Sequence, residues 1–272
     1  MSLRHCPLLY IFLETAYMTS QRHTIEVDIG LPVIDFDDRP GVRHGVVNYD
    51  AGSMIVSLNL SSHQRTGRDG SDGLMTVYDV PRGGRGPITD ENGHHYVLNQ
   101  ATTAYRPVVA ELRLVTEDLE SSYAFYRNIL GLTPFDGNQA RFAATVTDQS
   151  RPGTVTPPDG DQARFTAGAV TLVIERLPAA IASQRARRDT YLLVFYTRDI
   201  RETCAALSGR GLAFKGRKVG SRDFGSTIHF DDPAGHRFCL YEPSAKALAT
   251  ETGRKLRQVV AGCEGALPVG LR

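Results

Sequence analysis

The stretch Gly225-Ser226-Thr227-Ile228-His229-Phe230-Asp231-Asp232-Pro233-Ala234-Gly235-His236-Arg237-Phe238-Cys239-Leu240-Tyr241-Glu242-Pro243 decides the fold. A β-prone run enters a polar Asp-Asp-Pro-Ala-Gly turn, and an alternating aromatic and aliphatic run leaves it, which is the pattern of a hairpin. Asp232 suits the first turn position, Pro233 pre-sets φ at the next, and Gly235 tolerates the positive φ that closes the bend. A weaker copy lies upstream as Thr89-Asp90-Glu91-Asn92-Gly93-His94-His95-Tyr96-Val97-Leu98-Asn99. The chain is therefore read as internally repeated.

Working outward, residues 109–119 form a strand that leads into a helix over 120–130 and a Gly131-Leu132 exit. Leu119, Ser122, Tyr123, Tyr126, Ile129 and Leu130 fall at helical spacing, with Asp118 as N-cap and Gly131 as stop. The same order occurs near the N-terminus: a strand over 9–15, a less clearly amphipathic helix over 19–29, and Gly30-Leu31-Pro32. Strands are expected after these exits at 33–36, 45–49 and 54–60, and at 141–146, 162–166 and 170–174. Another copy opens at 191–196, where Asp199 caps a helix with the face Ile200, Thr203, Cys204 and Leu207. Gly209 and Gly211 stop it, and strands follow at 214–218, 226–230 and 237–241. The remaining copy is damaged. A good strand at 74–80 runs into Pro81-Arg82-Gly83-Gly84-Arg85-Gly86-Pro87, which cannot carry a helix, so this unit is expected to keep its first and last strands only. Residues 63–73 read as a polar linker, 148–160 as a Pro/Gly loop, and Arg185, Arg187 and Arg188 as a solvated basic loop. The tail over 245–261 reads as a packing helix through Leu248, Leu256, Val259 and Val260.

At 272 residues the chain can bury a real core in one large or two ordinary domains. Its 31 basic and 30 acidic residues balance, which excludes nucleic acid and anionic membrane as the implied partners. Cys6, Cys204, Cys239 and Cys263 lack zinc or CxxC spacing and fit reduced thiols in a cytoplasmic protein. The apolar run over 7–13 is too short to span a bilayer and lacks a cleavage-site pattern. As a strand, its 9–13 segment favours Met1 over Met18 as the start.

Strand, helix, Gly-Leu and three strands, repeated and ending in Asp232-Pro233-Ala234-Gly235, resemble the vicinal oxygen chelate superfamily, which includes glyoxalase I, bleomycin-resistance proteins, epimerases and extradiol dioxygenases. The resemblance is carried over 108–243 by Glu117-Asp118-Leu119-Glu120-Ser121-Ser122-Tyr123-Ala124-Phe125-Tyr126, Leu130-Gly131-Leu132 and the turn. Over 7–100 it rests on Ile29-Gly30-Leu31-Pro32 and Glu91-Asn92-Gly93. It implies an α+β fold of tandem βαβββ modules forming half-barrel sheets, four modules with the second truncated. The expected division is a reduced N-terminal pair over 1–105, a complete pair forming the pocket over 106–244, and a helical tail over 245–272. The resemblance also implies a divalent metal held from the first and last strands of each module. Those positions fall on Glu111, Leu172, Leu192 and Cys239, and in the N-terminal half on Tyr10, Ser57, Asp72 and Val97. Leucine and valine cannot ligate, so no cofactor is expected and a divalent metal is disfavoured.

Glu111, flanked by Val109, Ala110, Leu112 and Leu114, suits general acid/base work if buried alone; the competing reading pairs it with Arg113 on the same strand face. His229 lies where the resemblance to extradiol dioxygenases implies a tyrosine aimed at substrate, and could shuttle a proton. Cys239 is a nucleophile only if activated, and otherwise a buried thiol. Cys204 belongs to the core. Tyr191 and Tyr196 flank Leu192 and could stack on a ligand, or simply pack. His94 and His95 point to opposite faces and make a poor metal pair, while Glu14 and Asn59 line an N-terminal pocket. Two function classes remain open, with a homodimer possible in either. One is a metal-independent isomerase, lyase or ring-opening enzyme using Glu111 and His229 on a small oxygenated molecule, with Arg113, Tyr191, Leu192, Tyr196, Leu172 and Cys239 around the ligand. The other is a non-catalytic binder that sequesters a small molecule. A metal-dependent enzyme with an atypical ligand set is the third alternative.

Overall fold

The structure, a computed structural model, describes residues 3, 6–37, 45–60, 74–135, 161–178 and 190–265. The N-terminal half contributes β1 (Leu8–Thr15), β2 (Val33–Asp37), β3 (Val46–Asp50), β4 (Ile55–Leu60), β5 (Leu74–Val80), β6 (Arg85–Thr89) and β7 (His95–Gln100). The rest contributes β8 (Val108–Thr116), β9 (Thr133–Pro134), β10 (Gln162–Ala167), β11 (Val170–Arg176), β12 (Tyr191–Tyr196), β13 (Phe214–Arg222), β14 (Gly225–Asp231) and β15 (Arg237–Pro243). Helices are α1 (Met18–His23), α2 (Leu119–Ala124), α3 (Ile200–Ser208), α4 (Ala245–Leu248) and α5 (Glu251–Gly265). The fold is thus α+β, mostly strand. The strand expected at 141–146, the linker, the Pro/Gly loop, Asp72 and the basic loop lie outside the described residues.

Local signals place the helices. Asp118 accepts from Ser121 N at 3.0 Å and Asp199 from Glu202 N at 2.9 Å, each opening its helix as an N-cap. Thr116, the last residue of β8, and Thr197, the residue after β12, bond Ser122 at 2.9 Å and Thr203 at 2.6 Å, the same device twice. In the first unit Tyr17 holds the cap position and makes no side-chain cap bond, which accounts for the weaker signal there. α1 and α2 both run on through a wider turn, and Gly30 N and Leu130 N reach back five residues, to Ile25 O and Phe125 O.

Eight strands form sheet A, in the order β13-β14-β15-β12-β1-β4-β3-β2, and seven form sheet B, in the order β6-β7-β5-β8-β11-β10-β9. The expected pairing of sequence neighbours is not how the sheets are built. β1 runs antiparallel to β12, with Phe12 opposite Leu192, so the first and last units share sheet A. β5 runs antiparallel to β8, with Val77 opposite Glu111, so the second and third share sheet B. The reason lies in composition: β1 and β12 are apolar on both faces, whereas β8 alternates, with Glu111 and Arg113 on one side and Leu112 and Leu114 on the other. The damaged unit also keeps more than expected. It lacks the helix, but its middle survives as β6, which tolerates Pro87 because it is an edge strand.

One face of each sheet packs with the helices into a common core that includes Tyr49, Leu58, Tyr78, Tyr126, Phe165, Phe195, Phe230 and Phe238. The two hairpin turns knit this core together. Gly235 N reaches Asp232 O with Gly235 at φ 83°, and Gly93 N reaches Asp90 O with Gly93 at φ 84°. Asp232 takes His236 N at 2.7 Å and, at 2.6 Å, the hydroxyl of Tyr126 in the wider turn that follows α2. The His236 Nε2 donates to Val115 O of β8 at 2.7 Å, which leaves Nδ1 to accept from the Tyr191 hydroxyl. The upstream copy repeats the scheme. Asp90 takes His94 N and the Tyr96 hydroxyl, His94 faces Thr190 O across the sheets, and Asn92 bonds Gln21 of α1. Each turn is a buried polar pin into the other sheet.

Candidate functional site

Opposite the common core, each sheet has a second face, and the residues of interest divide between them. Sheet A carries Tyr10, Phe12, Leu192, Val194, Tyr196, Cys239 and Tyr241 in a separate apolar cluster. Ser57, aligned with Phe12 in the parallel β1–β4 pair, shares this face. His229 is opposite Cys239 and Asp231 opposite Arg237, so both extend the face toward the β13 edge. Sheet B carries Glu111 and Arg113, with Arg164 from β10 across Val173.

This division breaks the expected Glu111–His229 pair, because the two residues belong to different sheets. Nor is Glu111 a lone carboxylate among apolar groups. One oxygen meets Arg113 and the other meets Arg164, both at 2.9 Å. The pairing with Arg113 is the reading that holds, with Arg164 added by a strand that comes 53 residues later. Leu172 is fully buried in the common core and lines no ligand surface. Tyr191 is buried there too, held by His236, while Tyr196 lies on the far face with Leu192 as expected. Cys239 is 2% exposed, and its thiol donates to Leu240 O. Burial pushes that thiol up to about 12, so it is a packing residue and no nucleophile.

Among the described residues, those at the metal positions do not fit a divalent cation. On sheet A they are Tyr10, Ser57, Leu192 and Cys239, and burial holds both the Tyr10 phenol and the Cys239 thiol protonated. On sheet B the carboxylate of Glu111 is already claimed by two guanidinium groups, Val97 has no donor, and Leu172 faces the core. Among the described residues, no cluster of three His, Cys, Asp or Glu side chains could hold a metal ion.

A usable site remains at the β13 side of the sheet A face. Lys215, His229, Phe230, Asp231, Arg237 and Phe238 line a pocket of about 230 Å³. Lys215 pairs with Asp231, and Arg237 approaches Glu14 of β1 at 4.0 Å. Asp231 Oδ1 and, farther along the face, the Ser57 hydroxyl are buried without a hydrogen-bond partner among the described residues. Such orphaned acceptors are costly unless a guest satisfies them. Burial first, then the Arg237 and Lys215 charges, holds His229 below the ordinary histidine value, so its imidazole is neutral at pH 7. Sequence reasoning singled out His229 but missed Lys215 and Arg237. The alternation of Arg237, Cys239 and Tyr241 in the hairpin was the signal that could have found Arg237.

Residues 108–240 match the family described as the Glyoxalase/Bleomycin resistance protein/Dioxygenase superfamily. Glyoxalase I from Zea mays superposes with a TM-score of 0.61 at 15% identity, covering 94% of this chain and 96% of that one. A protein from Bacillus subtilis, provisionally classed as a dioxygenase, superposes with a TM-score of 0.59 at 14% identity, covering 98% of each chain. At these identities the likeness is one of fold. No curated protein matches the sequence. Two sheets built on paired first strands, the repeated turn and the matched segment lead to one conclusion: the chain has the fold of the glyoxalase I structures, and its residues 108–240 are similar to the glyoxalase/bleomycin resistance protein/dioxygenase group, the vicinal oxygen chelate superfamily.

Proposed function

We propose that the protein binds a small oxygenated organic molecule on the sheet A face, in the pocket between Lys215, His229, Asp231 and Arg237. The observation that carries this reading is the gathering of polar atoms at one end of an apolar face, with Asp231 Oδ1 buried and without a partner among the described residues. A guest hydroxyl would donate to that oxygen, and a carbonyl or carboxyl oxygen would accept from Arg237 and Lys215. Leu192, on the adjoining part of the face, would meet its carbon skeleton. The separation of Glu111 from His229 favours a metal-independent binder over the two-residue acid/base enzyme.

Turnover is the second reading, favoured by the state of His229. A neutral imidazole flanked by cations can take a proton from carbon or hydroxyl, as an isomerase or lyase of small oxygenated molecules requires. Thiols at Cys6, Cys204 and Cys239 fit a cytoplasmic setting, and the edges β2, β6, β9 and β13, unpaired on their outer side among the described residues, are where a second copy would join a homodimer.

The test is calorimetry with a panel of small hydroxy, keto and carboxylic acids. Arg237→Met should weaken any binder about 10-fold or more, and Glu111→Gln should leave it unchanged. Loss of binding in Glu111→Gln with retention in Arg237→Met would move the site to sheet B. A panel converted by the wild type but not by His229→Ala would establish the enzyme.

A further inference from the structure

The apolar half of the sheet A face is covered by the chain's own C-terminal helix. Leu256 and Val259 of α5 are buried, at 2% and 6% exposure, and with Val260 they pack on Leu9, Tyr10, Ile55, Val194 and Cys239. This cluster is separate from the common core, so α5 closes a surface that the two sheets do not need in order to hold together. The opposite side of the helix, through Arg254, Arg257 and Gln258, is exposed.

Polar contacts add to this apolar packing. Thr252 Oγ1 donates to Asp35 Oδ2 at 2.6 Å, and Lys255 Nζ reaches Asp50 Oδ1 at 2.6 Å and Gly52 O at 2.9 Å. The joint with α4 is tight. A Cβ at Gly253 would come within 2.1 Å of Ala247 O, so the turn between the two helices is fixed while α5 projects from it. Beneath the helix lies an aromatic floor, with Tyr10 and Phe12 stacked at 5.1 Å and Tyr241 edge-on to Tyr10 at 6.3 Å.

We infer that α5 is an intramolecular plug, a built-in occupant that fills the apolar half of the sheet A face and detaches as a local unit. While it is seated, the pocket at the β13 side of this face, among the described residues, measures about 230 Å³, below the range of roughly 300–1,000 Å³ typical of sites for larger ligands. When it lifts, the aromatic floor joins that pocket. The effect on a guest rests on the binding reading above, whereas the plug itself does not.

Hydrogen exchange on the full chain tests it. Amides of residues 254–260 should exchange about 100-fold or more faster than those of β12 and β15, because they open without global unfolding. Equal rates would overturn the plug. In full-length Leu256→Glu, 8-anilinonaphthalene-1-sulfonate emission should rise about threefold or more, with amide protection in both sheets retained. No rise in emission, or loss of protection throughout both sheets, would also overturn it. These readouts use no guest. If Arg237→Met leaves guest affinity intact, the binding proposal fails while the plug stands.

Discussion

Sheets A and B share one plan and carry opposite contents on their second faces. In each, two first strands meet antiparallel at the centre and are flanked by the parallel last strands of their own units. On sheet A the centre is Tyr10, Phe12, Leu192 and Val194, a surface that needs a cover and has one in α5. On sheet B the equivalent ground holds Glu111, Arg113 and Arg164, charges that satisfy one another while staying partly exposed. The framework fixes where a pocket can form. The side chains on the two first strands decide whether that ground becomes a helix seat or a charged surface.

The comparison can be broken at four places. The largest effect is expected from Leu256→Ala, which removes buried carbon from the covered face and should cost about 2–4 kcal/mol of unfolding free energy in urea titration. A loss below half of that would mean the seat is looser than its burial. Next comes Lys255→Met. Its side chain is 8% exposed and its ammonium holds Asp50, whose carboxyl burial pushes up but Lys255, the Gly52 N–H and Arg106 pull below the usual range. Because Arg106 remains at 2.5 Å, the loss should stop at about 1–3 kcal/mol, short of what a fully orphaned buried charge costs.

The charged face should respond less. Glu111→Gln is expected to cost about 1 kcal/mol or less, with the difference shrinking in high salt, since both arginines retain water. A larger cost would show that the cluster is structurally essential. The smallest effect belongs to His229. Its imidazole, followed by NMR, should titrate below 6.5, and Arg237→Met or Lys215→Met should each raise the midpoint by removing a neighbouring cation. The sign for stability follows. The unfolded chain takes up this proton more readily, so the contribution is present above 6.5 and is lost as pH falls through the folded midpoint. A midpoint at or above 6.5 would remove the argument for a neutral imidazole.

What the sequence determined by itself is local. The helix starts at Asp118 and Asp199, the stops at Gly30 and Gly131, and the turns closed by Gly93 and Gly235 are all settled within a few residues by capping and positive φ. The vicinal oxygen chelate resemblance was legible for the same reason, since its motifs are these caps and turns. The partnership of the units was not. It depended on which first strands share a burial pattern, a signal present in β1 and β12 but visible only when distant segments are compared. Glu111 was recognised, yet its second arginine comes from another strand, and the latch between Lys255 and Gly52 closes over 203 residues. Burial and charge pairing are properties of surfaces brought together in space, and only the tertiary structure decided that Glu111 is clamped, that His229 stands on the other sheet, and that the chain's own tail covers the face between Tyr10 and Cys239.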